Sequence, residues 1–274
     1  MTKPYHEYAK DYPVALASIA DCLSHSHLPR LENIALRFAH ALEEKTLDLK
    51  DGNEREFLFA VLVKTTNEMF ATVGSLRNGA LLASHHHARS VLELFAALEH
   101  VYCNPSKRER KLEKFVEHPN VEKYLHYRDW QMRLSNGGVT KDEFAQGCHV
   151  SEIRFQELEK RLSEWQRIWK LDGLDPDHIQ NWHYPATISG LFQSSEETKN
   201  LLDSYEKLCH ATHLSPLGER VVGGHFSIGF PRDGDGFDYR KINRPIDGTI
   251  LGAQSITICL HETVKTGLIE GVLD

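Results

Sequence analysis

From Leu31 to Thr212 apolar residues return three and four positions apart in one segment after another, a spacing that favours helices packed by one face. Over residues 31–49, positions 31, 34, 35, 38, 41 and 42 make such a face, entered after Pro29. Over 55–77 the stripe runs through Leu58, Leu62, Thr65, Met69, Val73 and Leu76, and Arg77-Asn78-Gly79 supplies a cationic last turn and a glycine stop. A helix over 81–102 follows and ends at Cys103-Asn104-Pro105, since proline lacks the N–H needed to continue it. Residues 106–114, SKRERKLEK, read as a solvated helix start. Later stripes run through Phe155, Leu158, Leu162, Trp165 and Trp169 (152–171) and through Leu201, Leu202, Tyr205, Leu208, Cys209 and Thr212 (197–212).

The pattern changes after His213. Residues 218–248 hold nine glycines and prolines, and VVGGHFSIGFPRDGDGFDYRKI reads as two short strands around a glycine-rich turn. The expectation is a mostly α protein, a helical bundle with a small β-hairpin-like excursion near residues 220–242. One helical domain spans 1–274: N-terminal helices over 1–50, a core bundle over 55–215, the hairpin-like insertion over 218–248 and a C-terminal helix over 250–270.

A chain of 274 residues can bury a full core, and its 41% hydrophobic and 26% charged residues are ordinary for a globular protein. The formal net charge of −7 opposes a broad grip on nucleic acid, which needs many cations on phosphates, while leaving room for a local basic cleft. The first residues, MTKPYHEYAKDYP, lack the apolar core of a secretory signal, and no segment approaches the roughly 20 apolar residues that span a bilayer. Cysteines at 22, 103, 148, 209 and 259 are odd in number and scattered, which fits reduced thiols. A cytoplasmic protein without a membrane partner is expected.

Several named chemistries are absent. There is no phosphate loop, no G-x-G-x-x-G, no G-x-S-x-G elbow and no H-E-x-x-H. None of the 17 histidines follows a glutamate by three residues, so a di-iron helix pair is not encoded. His85, His86 and His87 splay about 100° apart on a helix and cannot chelate together. His210 and His213 share a face, but no carboxylate is spaced to complete a shell. Residues 233–238, DGDGFD, have the composition but not the register of a calcium loop. No metal and no cofactor is expected.

What remains is the polar side of the 81–102 helix. Ala88, Val91, Phe95, Leu98 and Tyr102 form its apolar centre, with His86, Arg89, Ser90, Glu93, Ala97 and His100 opposite. Arg89 and Glu93 are four apart and can pair. A solvated face explains the charges, although Ala96 and Ala97 are small where such a face carries long chains. An interhelical ion pair that sets bundle register is the other structural reading. The functional reading brings in the later helix, where His213 lies about 80° from Tyr205 and His210 about 140°. His213 is then the better partner for Arg89 and Glu93, and together they supply a cation, a carboxylate and a group that titrates near neutrality. Arg89, Glu93 and His213 are the candidate catalytic residues; His86, Ser90, Trp182 and Tyr205 are the candidate ligand-binding residues.

Residues ARSVLELFAAL resemble the R-S-x-x-E helix of an uncharacterised family of prokaryotic all-helical proteins, and NWHYPATISGLFQ followed by YEKLCHATHLSP resembles that family's later Y-x-x-L-[SC]-x-x-x-H pattern. The resemblance runs from Glu56 to about Ser215. It implies a helical bundle and singles out Arg89, Glu93, Tyr205 and His213. More distantly the chain is similar to the HEPN superfamily of helical nucleases and nucleotide-binding proteins, common in toxin and defence systems, whose nucleases work as dimers through an arginine and a histidine four to six residues apart. Here Arg77 and His85 have seven residues between them and Arg89 and His100 more, so an active site would be assembled from separate helices.

These residues and resemblances give three expectations. The first is a metal-independent ribonuclease or nucleotide-processing protein of a toxin or defence type, with RNA or a nucleotide as ligand and a homodimer as assembly. In it His213 is the general acid/base and Arg89 stabilises phosphate charge. The second is a non-catalytic module that binds an anionic ligand. The third is an interaction or structural protein whose polar stripe only sets helix register.

Overall fold

The computed structural model describes residues 23, 26–43, 52–78, 80–170, 176–179, 181–212 and 239–264. These are almost entirely helical. In order they form α1 (Leu28–Glu43), α2 (Asn53–Arg77), α3 (Leu81–Tyr102), α4 (Pro105–Ser135), α5 (Lys141–Gly147), α6 (Glu152–Glu159), α7 (Leu162–Trp169), a single 3-10 turn (Pro176–His178), α8 (Ile188–Leu191), α9 (Glu196–Thr212) and α10 (Tyr239–Val264). No strand occurs among the described residues. The chain divides into two compact units, one made of 1–50, 58–103 and 191–274, the other of 51–57 and 104–190.

In the first unit α3 is the central element, with α9 and α10 packed on it and α1 on α10. Ala88, Val91, Phe95, Leu98 and Tyr102 of α3 are buried, as the stripe predicts, Leu92 is buried beside them, and so are Ile246, Ile250, Ala253, Ile256 and Leu260 of α10. The approach of α10 to α3 is set by absent side chains. A Cβ on Gly252 would stand 2.8 Å from Val91 Cγ1, and one on Gly248 would stand 3.2 Å from Leu208 Cδ1 and 3.9 Å from Ala88 Cβ. Where two helices come this close a methyl group is felt, so small residues four apart act as a packing device.

This corrects the reading of the glycine-rich segment. Helix α10 starts at Tyr239, not at Ile250, so residues 239–248 are helix and not hairpin. Its apolar residues keep the 3.6 period through Pro245, while Gly248, expected in the hairpin-like insertion, and Gly252, within the expected C-terminal helix, serve close packing. The remainder of the hairpin-like excursion, 220–238, lies outside the described residues.

The second unit is built on α4, a helix of 31 residues that enters through Pro105 at its first turn and continues through Pro119. The sequence marked only its charged start. Helices α6 and α7 replace the single helix expected over 152–171. Ser151 caps α6, its hydroxyl accepting from the Arg154 N–H at 3.2 Å. The chain then breaks at Arg161, whose guanidinium is tied to Glu117 of α4 at 2.6 Å. Trp165, Ile168 and Trp169 of α7 pack with Val121, Tyr124, Leu158 and Ile179 into this unit's core. Lys170, at φ 53°, ends α7 in the left-handed conformation.

Candidate functional site

Helix α3 carries Arg89 and Glu93 one turn apart, and α9 brings Tyr205 to them. Arg89 Nε is 3.3 Å from Glu93 Oε1, and the Tyr205 hydroxyl donates to the same oxygen at 3.0 Å. The side chains are largely enclosed, 17% exposed for Arg89 and 27% for Glu93. Phe192 stacks on the Tyr205 ring, centroids 4.3 Å apart. Burial, then the neighbouring Cys209 and the Glu93 carboxylate, push the phenol's pKa well above its ordinary value. Tyr205 is therefore a hydrogen-bond donor at any physiological pH, unsuited to act as a base or nucleophile.

Of the seven residues singled out in the sequence, the structure brings these three together. His213 lies outside the described residues. His86 is exposed at the edge of His87, whose Nδ1 pairs with Glu68 at 2.7 Å. The Ser90 hydroxyl turns back to the His86 carbonyl at 3.2 Å. Trp182 belongs to the second unit, where it packs edge-on against Phe57 and Phe115 at 5.8 and 5.6 Å.

The geometry makes the Arg89–Glu93–Tyr205 cluster an interhelical clamp, and its members are interdependent. Glu93→Leu alone is expected to cost about 1–3 kcal/mol, because Arg89 loses this carboxylate and the half-buried phenol its acceptor. The triple change Arg89→Met, Glu93→Leu, Tyr205→Phe is expected to lie within about 1 kcal/mol of the native chain, since the cation, the carboxylate and the phenol hydroxyl are removed together. Urea denaturation of the two variants checks the difference; a triple variant less stable than the single one contradicts it.

Two features of this unit were missed in the sequence. His85 is fully buried, its Nδ1 2.8 Å from the Leu81 carbonyl and its Nε2 without a hydrogen-bond partner. Burial lowers its pKa from 6.5 to about 4, opposed by the Leu81 hydrogen bond and assisted by the nearby positive charge of Arg244. The signal was present: of three consecutive histidines at 100° steps, the one three residues before Ala88 falls on the apolar side. The second feature is a cavity of about 410 Å³ between α9 and α10, lined by Ser204, Lys207, Asn243, Arg244 and Asp247 together with Leu208, Gly248 and Leu251. Asp247 is engaged by His27 Nδ1 at 2.6 Å, Asn243 accepts from the His27 N–H at 3.3 Å, and Lys207 pairs with Asp203. Arg244 has no carboxylate partner among the described residues. The hairpin expectation hid it, since it placed Arg244 within the 218–248 insertion.

Among the described residues no group of three or more His, Cys, Asp or Glu is placed to hold a metal ion, and no helix is long and apolar enough to cross a membrane. The chain matches no family model, no curated protein and no solved structure at a significant level.

Proposed function

We propose that this protein is a binding module, taking a small phosphate-bearing ligand in the cavity between α9 and α10. The observation that carries the reading is Arg244. A guanidinium lining a cavity beside Ser204, Asn243 and Lys207, where the one lining carboxylate, Asp247, is engaged by His27, suits a dianionic oxygen group. The cavity's volume lies within the range of small-molecule sites. Leu208 and Leu251 in its lining give a ligand body an apolar surface to rest on, and the resemblance to nucleotide-binding helical proteins makes a nucleotide the first ligand to try. A binding role is favoured over catalysis by the state of the clamp: Glu93 is already ion-paired with Arg89 and accepts from Tyr205, and Tyr205 keeps its proton.

A thermal-shift screen against nucleotides and phosphorylated metabolites is expected to give at least one rise in Tm of about 5 °C or more at saturation. Arg244→Ala should abolish that rise and Arg244→Lys should retain part of it, because charge survives and the two-pronged geometry does not. An unresponsive native chain across the whole panel, or a rise unchanged in Arg244→Ala, would overturn the reading. The ribonuclease alternative has its own discriminating variant: it requires His213→Ala to remove RNA cleavage, and an unchanged cleavage rate in that variant would eliminate it.

A further inference from the structure

The second unit contains a separate hollow of about 640 Å³, lined by Glu122, Lys123 and His126 of α4, by His149 and Ser151 just before α6, and by Arg154 of α6. Its most specific feature is a pair of imidazoles from different elements. The rings of His126 and His149 lie parallel, 7° apart in plane, with centroids 6.3 Å apart.

The pair is held from behind. Trp130, one turn beyond His126, presents its ring edge-on at 6.2 Å, and Trp130 occupies space that exists because residue 147 is glycine. A Cβ on Gly147 would stand 2.2 Å from Trp130 Cη2. Arg154 is braced from two sides, by Glu157 at 2.9 Å and by the Asn120 side-chain oxygen at 3.1 Å. Lys123 has no ion pair among the described residues. The first N–H groups of α6, which a helix leaves without internal partners, begin at the same wall, where Ser151 caps the helix.

The charged groups facing the two rings are Lys123 and Glu122 from α4 and Arg154 from α6. Glu122 stands 3.6 Å from His118 Nδ1. Among the lining groups two cations stand against one carboxylate, with Glu157 pairing with Arg154 from outside the lining, and protonating both imidazoles adds two positive charges. Two adjacent imidazolium rings repel each other unless an anion compensates them.

We propose that this hollow binds a tetrahedral oxyanion, free or as the phosphoryl group of a small ligand, held by His126, His149, Lys123 and Arg154, and that it binds more tightly as pH falls. The site is independent of the Arg244 cavity. The sign follows from proton linkage. The anion favours the charged rings, so affinity is greatest where the imidazoles are protonated and falls as rising pH removes their protons.

Sulfate is the suitable probe because it stays a dianion throughout that range. Titration of the full chain by calorimetry is expected to give about tenfold tighter binding at pH 5.5 than at pH 8, with sulfate displacing the imidazole NMR signals of His126 and His149. His126→Gln with His149→Gln should flatten the pH dependence, while Lys123→Gln or Arg154→Gln should weaken binding severalfold at both pH values. Gly147→Ala, which displaces the Trp130 support, should weaken binding at pH 5.5 without touching any ligand-facing group. Arg244→Ala should leave all of this unchanged. Comparing inorganic phosphate with a nucleoside monophosphate at pH 6 then separates the two sources, and either one upholds the site. No sulfate binding at millimolar concentration overturns the proposal. So does a pH dependence that survives the double glutamine variant with circular dichroism unchanged, or binding lost in Arg244→Ala.

Discussion

Trp165→Ala is expected to destabilise the chain by about 3–5 kcal/mol, the range for emptying a large buried aromatic site. Trp165 is fully buried and is the largest side chain so enclosed among the described residues. Its ring meets Tyr124 edge-on at 5.7 Å, and Tyr124 in turn stacks on Phe155 at 5.1 Å, so removing the indole unsupports two further aromatics. The loss is polar as well. Trp165 Nε1 donates at 3.1 Å to Glu117, a carboxylate only 13% exposed that also receives Arg161 at 2.6 Å and Asn120 at 3.3 Å. Trp165→Phe keeps most of the packing and deletes that donor, and is expected to cost about 1–3 kcal/mol. Urea denaturation followed by circular dichroism checks both. A loss under 1 kcal/mol in Trp165→Ala would show that this core is not what holds α7 to α4.

His85→Leu is expected to spare the chain about 3 kcal/mol of acid destabilisation between pH 6.5 and pH 4. The imidazole titrates near 6.5 when unfolded and near 4 when folded. Between those values the unfolded chain binds the proton and the folded chain does not, so native stability falls as pH is lowered through the window. Below pH 4 the penalty is fully developed, and above 6.5 it is absent. A difference of 2.5 pK units corresponds to about 3 kcal/mol, and a group this buried is little screened by solvent. Leucine has no proton to take up, and it also removes the Nε2 acceptor that has no hydrogen-bond partner. At pH 7 the two proteins should differ by less than about 1 kcal/mol. Their stability profiles, measured by urea denaturation at intervals from pH 4 to 7.5, should diverge on the acid side; parallel profiles would refute the assignment. His118 contributes equally to both proteins and cancels in the comparison.

The contrast between Trp165 and His85 also shows where sequence reading succeeds. Trp165 was recognisable from its place on the stripe with Phe155, Leu158, Leu162 and Trp169, because helix periodicity is local and an apolar stripe must face something apolar. That Glu117 would be its acceptor was not recognisable, since 48 residues separate them. His85 was legible only as a turn of the wheel. Its burial depends on α10, whose arrival beside α3 rests on Gly248 and Gly252, residues that in a one-dimensional reading signal a turn. Arg244 was lost for the same reason.

The candidate site divides in the same way. The pairing of Arg89 with Glu93 follows from four-residue spacing, which places two side chains on one face of a helix wherever that helix goes. The third member required tertiary structure: Tyr205 reaches Glu93 from 112 residues away. Sequence alone determined the described helices α2, α3 and α9, because backbone hydrogen bonds close within four residues and apolar stripes obey the same short period. Tertiary structure decided which polar groups are desolvated and by whom they are answered, because that free energy is set by neighbours distant in the chain.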